Sequence, residues 1–307
     1  MKKKGITLIV IVASIILGIG VSRYFKLNTL SSLLIFKNDI YHSYYSEEVI
    51  TKVIKDSIGV DYTGDRNKDF NNYIISLVLD DLRDEENIKW KAYNQYLDKD
   101  ELNAIEQSRS EEEMNNQSYA IDEQLWYIRV DDFRKGTHSK LIENNLEEIN
   151  SREKLILDLR NSSGGTVDEY LKFAEYFCEK GDLLLTVEGN GSDSFVSDRK
   201  QNIHVKEIYV FTSEKTASVS EQLAALIKHY KEGIILGENT FGKYIQASIR
   251  NLRDGGSYIF ISGEMIPPSN ERLLEGITPD FLIENVLELS KDELIEIVKE
   301  YKNNYIP

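Results

Sequence analysis

Hydrophobic positions follow two different rhythms along the chain. Over residues 39–107, apolar side chains recur at the three- and four-residue spacing of amphipathic helices, as Ile50, Val53 and Ile54 do. From Leu125 onward, short runs rich in β-branched residues alternate with amphipathic stretches. Strand, crossover helix and strand in series are typical of an α/β fold with largely parallel strands. The pattern therefore predicts an N-terminal helical region followed by an α/β core.

The core divides into alternating elements separated by glycine-containing or polar turns. The predicted strands cover residues 125–130, 154–159, 207–212 and 233–236. The predicted helices cover residues 139–150, 167–178, 219–231 and 290–303. A capping box formed by Ser290 and Glu293 marks the start of the last helix.

An apolar run over residues 6–21 follows three lysines at positions 2–4, a layout typical of an export signal. The run is short for a membrane-spanning helix, which needs about 20 apolar residues, although flanking side chains can extend it by snorkelling. The sequence predicts a retained single-pass anchor with the lysines in the cytoplasm and the remainder outside. A cleaved signal peptide is the alternative, for which residues 18–20 offer only a poor small-residue cleavage pattern.

Three regions follow from these patterns. Residues 1–26 are predicted to form a cytoplasmic tip and transmembrane signal-anchor, residues 27–117 a helical membrane-proximal region with a linker, and residues 118–307 the core domain. The linker is the polar, acidic stretch 108–117, which lacks apolar periodicity. The predicted location is the cell membrane, with the core on its extracytoplasmic side.

Charge is unevenly distributed. The formal net charge is −15, and residues 1–26 carry five Lys or Arg and no acid, so the rest of the chain is more acidic than the total. Nucleic acid is not an expected partner, because binding it needs a basic surface. A cationic peptide would be attracted to such a surface, although acidity also serves simply to keep an exported domain soluble. With Cys178 as its single cysteine the chain forms no intramolecular disulfide, and neither a metal nor another cofactor is predicted.

The first candidate segment for chemistry is DLRNSSGG, which begins at Asp158 and ends in Gly164 and Gly165. It follows a predicted buried strand. Paired glycines leave backbone N–H groups unshielded, which suits a site that stabilises a developing oxyanion. An ordinary turn between a strand and a helix explains the same residues.

The second candidate is Ser218 in the segment TASVSE, directly after a predicted strand and at the start of a helix. Backbone N–H donors and the positive end of the helix dipole lie beside a serine in this position, which favours a nucleophile. Ser218 and Glu221 also fit a capping box, so the serine could serve only to cap the helix.

The third candidate is Lys243, at the end of GENTFGK. A lysine buried after a glycine turn would be held in its neutral form, and a neutral amine can accept a proton from a serine hydroxyl. A solvated lysine at a surface turn is the alternative, and spacing alone does not decide between them.

Resemblance to a known family adds to these readings. The motifs LDLRNxxGG, TASVSE, GENTFGK and GITPD occur in this order between residues 157 and 280, and less distinct similarity extends back to Leu125. Together they closely resemble the tail-specific, or C-terminal processing, peptidases, a serine peptidase family that uses a Ser/Lys dyad. The resemblance implies a core related to the Clp protease and crotonase fold, a peptide or protein substrate, and no cofactor.

The resemblance also implies roles for individual residues. Ser218 corresponds to the nucleophile of the family and Lys243 to the base. The oxyanion donors would be the backbone N–H of Gly164 or Gly165 and that of Val219.

The spacing after the lysine departs from the family pattern. Many relatives carry a glutamine four residues after the lysine, whereas here Gln246 is three residues after Lys243 and Ala247 takes the fourth position. On a regular strand, a shift of one residue reverses the direction of a side chain. Gln246 is therefore a candidate third member of the site that needs a bulge to point toward it.

A second departure concerns a module of the family. Residues 108–121 are too few to hold the PDZ domain by which these peptidases usually capture substrate C-termini. In this respect the chain is similar to the nisin resistance proteins, membrane-anchored relatives without a PDZ domain that cut a cationic antimicrobial peptide. Those relatives rely on a Ser/His pair, whereas this chain keeps the lysine motif.

Two functional hypotheses follow. The first is a membrane-anchored extracytoplasmic serine endopeptidase that uses Ser218 and Lys243 to hydrolyse peptides or exported proteins, with cationic antimicrobial peptides among the candidate substrates. The second is a catalytically silent peptide-binding or sensory module on the same fold.

Overall fold

A computed structural model of the protein describes residues 95–111, 115–189, 191–199, 203–252 and 255–304. The predicted membrane anchor and most of the predicted helical region lie outside these ranges. Within them, no helix combines the length and the apolar character needed to cross a bilayer. The chain divides into two compact units, the first with residues 1–110 and 247–262 and the second with residues 111–246 and 263–307.

The described elements are eleven strands and six α-helices, with short 3-10 turns between some of them. The strands are β1 (Gln95–Leu97), β2 (Gln117–Ala120), β3 (Leu125–Arg129), β4 (Lys154–Asp158), β5 (Leu183–Glu188), β6 (Ser192–Val196), β7 (Glu207–Thr212), β8 (Ile234–Gly237), β9 (Ile245–Asn251), β10 (Ser257–Ile266) and β11 (Phe281–Leu282). The helices are α1 (Lys99–Glu111), α2 (Thr137–Leu141), α3 (Leu146–Asn150), α4 (Val167–Ala174), α5 (Val219–Lys231) and α6 (Lys291–Asn304).

In the first unit, β1 pairs antiparallel with the beginning of β10, and Tyr96 lies opposite Tyr258. Their rings meet edge to face with centroids 5.9 Å apart. The sequence pattern predicted helix here, and that prediction is wrong for residues 95–97. Tyr96 and Leu97 are buried, so packing against a neighbouring strand overrides the local helical spacing.

In the second unit, one sheet has the strand order β11-β8-β7-β4-β3-β2. The pairs from β3 through β4, β7 and β8 to β11 are parallel, and β2 alone runs antiparallel to its neighbour β3. This arrangement confirms the predicted mixed α/β core with largely parallel strands. It also shows that the region predicted as a linker contains the end of α1 and the start of β2.

Both faces of this sheet are buried, as expected of parallel strands covered by helices. On one face Tyr127, Tyr209 and Phe211 pack with Leu294 and Val298 of helix α6. Alternate residues along the same strands point to the opposite face. There α5 packs against β7 and β8, and α4 packs against α5.

The helix predicted over residues 139–150 is interrupted in the structure. Helix α2 ends at Leu141, a 3-10 turn covers Glu143–Asn145, and α3 follows. The side-chain amide of Asn145 donates hydrogen bonds to the carbonyl oxygens of Lys140 and Leu141 at 3.1 and 3.2 Å. These bonds satisfy the carbonyl groups at the end of α2, which removes the need for the helix to continue.

Candidate active site

The motif-bearing segments meet at one edge of the parallel sheet. Strands β4, β7 and β8 are adjacent, and in their register Asp158 pairs with Phe211 and Thr212 with Gly237. The segments that carry the glycine turn, the serine and the lysine each begin where one of these strands ends. The carboxyl ends of parallel strands are the usual place for functional groups in such folds.

The glycine turn is fixed by backbone pairing. The carbonyl oxygen of Gly164 accepts the N–H of Phe133 at 2.8 Å, and the N–H of Thr166 donates to the Phe133 carbonyl oxygen at 3.0 Å. Gly164 has φ +104°, and a Cβ added to it would lie 2.8 Å from the Ser218 Cβ and 3.3 Å from its Oγ. Only glycine allows the turn to approach Ser218 this closely.

Ser218 has an unusual backbone conformation. It is the N-cap of α5 and only 8% exposed, with φ 61° and ψ −127°. N-cap residues ordinarily have extended backbone, and a positive φ in a residue other than glycine costs about 1–3 kcal/mol. Strain of this kind concentrates at active sites, and a strained serine between a strand and a helix is the arrangement of a nucleophile elbow. The predicted capping box is present, but helix capping alone does not explain this conformation.

Three backbone N–H groups are the candidate oxyanion donors. They belong to Gly164 and Gly165 in the glycine turn and to Val219 in the first turn of α5. Within the described part of the chain, none of the three donates a hydrogen bond. The first N–H groups of a helix have no intrahelical acceptor, so Val219 has a donor available for a bound group.

Glu221 connects the serine segment to the lysine segment. Its side chain is 0% exposed, and its Oε2 accepts the backbone N–H of Ser218 and that of Lys243, each at 2.8 Å. Its Oε1 accepts the Thr240 hydroxyl at 2.5 Å and the Gly242 N–H at 2.7 Å. One carboxylate therefore holds the two segments side by side. Burial raises the pKa of Glu221, and its four hydrogen-bond donors offset part of that effect.

Lys243 is half-buried and stands at the end of a tightly folded loop. Gly242 in this loop has φ +80°, and a Cβ on it would lie 2.8 Å from the Gly276 nitrogen. The Ile277 N–H donates to the Thr240 hydroxyl at 2.7 Å. The fourth sequence motif, GITPD, thus packs against the lysine loop and shapes it.

Gln246 lies in β9, three residues beyond the lysine, and is half-buried. In β9 its neighbour Ile245 is buried and Ala247 is exposed. The role of Gln246 as a third member of the site stays a prediction.

A buried ion pair at the end of β4 was not anticipated from the sequence. The Arg160 guanidinium donates to both carboxylate oxygens of Asp158 at 2.9 Å, and the Tyr127 hydroxyl donates to the same carboxylate at 2.7 Å. Arg160 also donates to the carbonyl oxygens of Val286 and Leu289 at 2.5 and 2.8 Å. This network fixes the first residues of the glycine-turn segment. The signal in the sequence was two opposite charges within a strand end that is otherwise apolar.

Ser162 links the glycine-turn segment to helix α5. Its hydroxyl lies 2.7 Å from that of Ser220, and its carbonyl oxygen accepts the Ala217 N–H at 3.0 Å. Replacing Ser162 with alanine leaves the buried Ser220 hydroxyl without this partner. We expect Ser162→Ala to lower the free energy of unfolding by about 1 kcal/mol in chemical denaturation. Ser192→Ala, at an exposed serine, is the matched control and should change it by less than about 0.5 kcal/mol; equal effects of the two variants would contradict the assignment.

Within the described ranges, His, Cys, Asp and Glu side chains do not gather into a group of three or more that could hold a metal ion.

Comparison with known proteins identifies the family. Residues 124–283 match the family model described as Peptidase family S41. The chain belongs to peptidase family S41. The predicted relation to the C-terminal processing peptidases is thereby confirmed.

Curated relatives carry related descriptions. The chain is 30% identical over 165 residues to the C-terminal processing peptidase, chloroplastic, of Tetradesmus obliquus, covering 52% of this chain and 35% of that protein. It is 28% identical over 163 residues to a probable CtpA-like serine protease of Staphylococcus aureus strain COL, covering 51% of this chain and 33% of that protein. The chain thus spans about a third of the length of these S41 relatives.

Solved structures show the same fold. A photosystem II D1 C-terminal processing protease aligns with a TM-score of 0.66 at 15% identity, covering 89% of this chain and 97% of that chain. A lipoprotein from Streptococcus agalactiae aligns with a TM-score of 0.61 at 16% identity, covering 90% and 99%. At these identities the likeness establishes the mixed α/β fold of the S41 chain.

Proposed function

We propose that the protein hydrolyses peptide bonds with Ser218 as nucleophile and Lys243 as general base. The observation that carries this proposal is the single Glu221 oxygen that accepts both the Ser218 and the Lys243 backbone N–H at 2.8 Å. This shared acceptor brings together the backbones of Ser218 and Lys243, the two residues that the family motifs single out. The strained backbone of Ser218 and the glycine turn beside it add support.

In the proposed mechanism, the neutral amine of Lys243 takes the proton of the Ser218 hydroxyl, and the Ser218 oxygen attacks the scissile carbonyl carbon. The N–H groups of Val219 and of the glycine turn hold the oxyanion that forms. Lys243 then gives the proton to the leaving amine, the C–N bond breaks, and the C-terminal fragment departs. The N-terminal fragment remains as an ester on Ser218. Water, deprotonated by Lys243, attacks this ester, which releases the second fragment and restores the hydroxyl.

The proposal includes a location and a substrate class. The apolar run at residues 6–21 after three lysines supports anchoring in the cell membrane with the peptidase outside. The acidity of the chain beyond residue 26 favours cationic peptides among the substrates, because opposite charge raises their local concentration. Exported proteins are the other substrate class.

The test is to incubate the full chain, purified in a mild detergent, with a cationic amphipathic peptide and with an unfolded acidic protein. New peptide ends are identified by mass spectrometry, and the protein is also treated with a fluorophosphonate probe. We expect new ends, and label on the peptide that contains Ser218. Preferred cleavage of the cationic peptide should weaken as salt is raised, because the attraction is screened.

Heat-unfolded protein is the control for both measurements. Binding of the peptides with neither new ends nor labelling would contradict the peptidase proposal and favour a silent peptide-binding module.

A further inference from the structure

Gln222 carries a buried polar group that neither the fold nor the proposed mechanism uses. Its side chain is 0% exposed. Across the described residues, neither its amide oxygen nor its amide nitrogen has a hydrogen-bond partner. Buried side-chain amides in native proteins are almost always paired, because leaving them unpaired is costly. An amide with both atoms unpaired therefore indicates a group from outside the chain that completes it.

The position of Gln222 relates it to the proposed nucleophile. Gln222 follows Ser218 by four residues, so the two lie on one side of α5, and its backbone N–H donates to the Ser218 carbonyl oxygen at 3.2 Å. Helical side chains tilt toward the N-terminus, so Gln222 covers the turn that Ser218 begins. The Gln222 amide thus belongs to the side of the helix that carries Ser218.

We propose that Gln222 lines the pocket for the substrate side chain immediately N-terminal to the scissile bond, and that this pocket selects an uncharged polar side chain. The inference rests on the proposed function. That substrate side chain branches from the carbon next to the carbonyl that Ser218 attacks, so it must enter the protein beside Ser218. An amide offers one acceptor and two donor hydrogens. A glutamine, asparagine, serine or threonine side chain complements both, whereas an aliphatic one would leave them unpaired.

The kinetic test uses two peptides that differ only in glutamine or methionine at this substrate position, since these side chains have similar length. With the wild-type chain we expect a higher kcat/KM for the glutamine peptide. Gln222→Met should lower kcat/KM for the glutamine peptide by about 10- to 100-fold and leave the methionine peptide unchanged or improved. The same variant should raise Tm, because it removes an unpaired buried polar group. A purely structural amide would give the opposite change in Tm and no change in preference.

A binding measurement separates this inference from the proposed function. Acetylated tetrapeptides that end in glutamine or in methionine are titrated calorimetrically into the full-length Ser218→Ala protein. We expect the glutamine peptide to bind at least about 10-fold more tightly, and this ratio to fall to about one in Ser218→Ala/Gln222→Met. Gln124→Met, at an exposed glutamine, is the matched control and should keep the ratio.

The binding and turnover measurements together distinguish failure of the Gln222 pocket from failure of the peptidase proposal. A binding preference that depends on Gln222, without turnover by the wild-type chain, supports the pocket and removes the peptidase. Turnover or binding with no preference between the two peptides, or a preference that survives Gln222→Met, overturns the inference.

Discussion

Ser218→Ala, Lys243→Met and the double variant are all expected to lose the same amount of peptidase activity, at least about 1,000-fold in kcat/KM. The proposed mechanism predicts equal losses because proton transfer from serine to lysine requires both residues. The serine is a weak nucleophile until a base takes its proton, and the lysine has no proton to take once the hydroxyl is gone. Steady-state kinetics on the peptide that the wild-type chain cleaves best provides the measurement.

Two controls separate the loss of activity from effects on folding and on charge. Ser218→Ala should lower Tm only modestly, because it removes the N-cap hydroxyl of α5, which is worth about 0.5–2 kcal/mol, and leaves the hydrophobic core unchanged. Lys215→Met removes an exposed lysine near the same strand end and should leave kcat/KM within about twofold. Losses that add in the double variant, or activity above the stated limit in either single variant, would show that the two residues do not act as a dyad.

Glu221→Gln is expected to lower the free energy of unfolding by about 2–4 kcal/mol and kcat/KM by about 100-fold. The carboxylate accepts four hydrogen bonds, two on each oxygen. Three come from backbone N–H groups, which can only donate, and one comes from the Thr240 hydroxyl. A glutamine replaces one of these oxygens with an NH₂ group. If the NH₂ group faces Ser218 and Lys243, both of their N–H groups lose their acceptor; if it faces Thr240 and Gly242, the Gly242 N–H does, whereas the Thr240 hydroxyl can turn to accept. The Ser218 and Lys243 segments then lose their common anchor. Denaturation and kinetics on the same preparation measure both effects.

The pH dependence of the effect has a defined sign. Because burial raises the pKa of Glu221 in the folded state, the stability that this carboxyl contributes is complete below the pKa of an unfolded glutamate. It is lost as pH rises through the higher pKa of the folded state. The stability difference between wild type and Glu221→Gln should therefore shrink as pH rises through that range. Glu214→Gln, at an exposed glutamate, is the control and should show no such trend, and a difference that grows with pH would contradict the assignment.

The parallel core was predictable because its local signals agree with its tertiary environment. Strand β7 and helix α5 have the predicted bounds. In both, an apolar run of the right length is bounded by residues that stop it, and both faces of the sheet are buried, so no competing pattern arises. The capping box at Ser290 and Glu293 also marked the start of α6 correctly.

The antiparallel strands were not predictable in the same way. Strand β6 reads SDSFV and is mostly exposed, so it has no alternation of apolar and polar residues to recognise. It is a strand because its backbone pairs with β5. Strand β1 was hidden for a related reason, since its pairing with β10 joins segments far apart in sequence. Local patterns carry no information about such partners.

In the candidate site, too, residues with a local sequence signal are predictable and long-range contacts are not. The sequence motifs single out Ser218 and Lys243 as candidates, but they indicate only a helix-capping role for Glu221. The capping box explains Glu221 locally, and the 21 residues between it and Lys243 contain no signal that the two meet. The Arg160 contacts are not predictable from local sequence, because their acceptors, the carbonyl oxygens of Val286 and Leu289, lie more than 120 residues further on.

The contact between Arg160 and the carbonyl groups of Val286 and Leu289 has a consequence for folding during synthesis. The glycine-turn segment is synthesised before its partner, because the carbonyl groups that accept hydrogen bonds from Arg160 belong to Val286 and Leu289, 126 and 129 residues further on. Translation proceeds at about 5–20 residues per second, so the two halves of this contact are synthesised several seconds apart. The glycine turn therefore gains the support of this buried ion pair only after residues 286–289 have been synthesised.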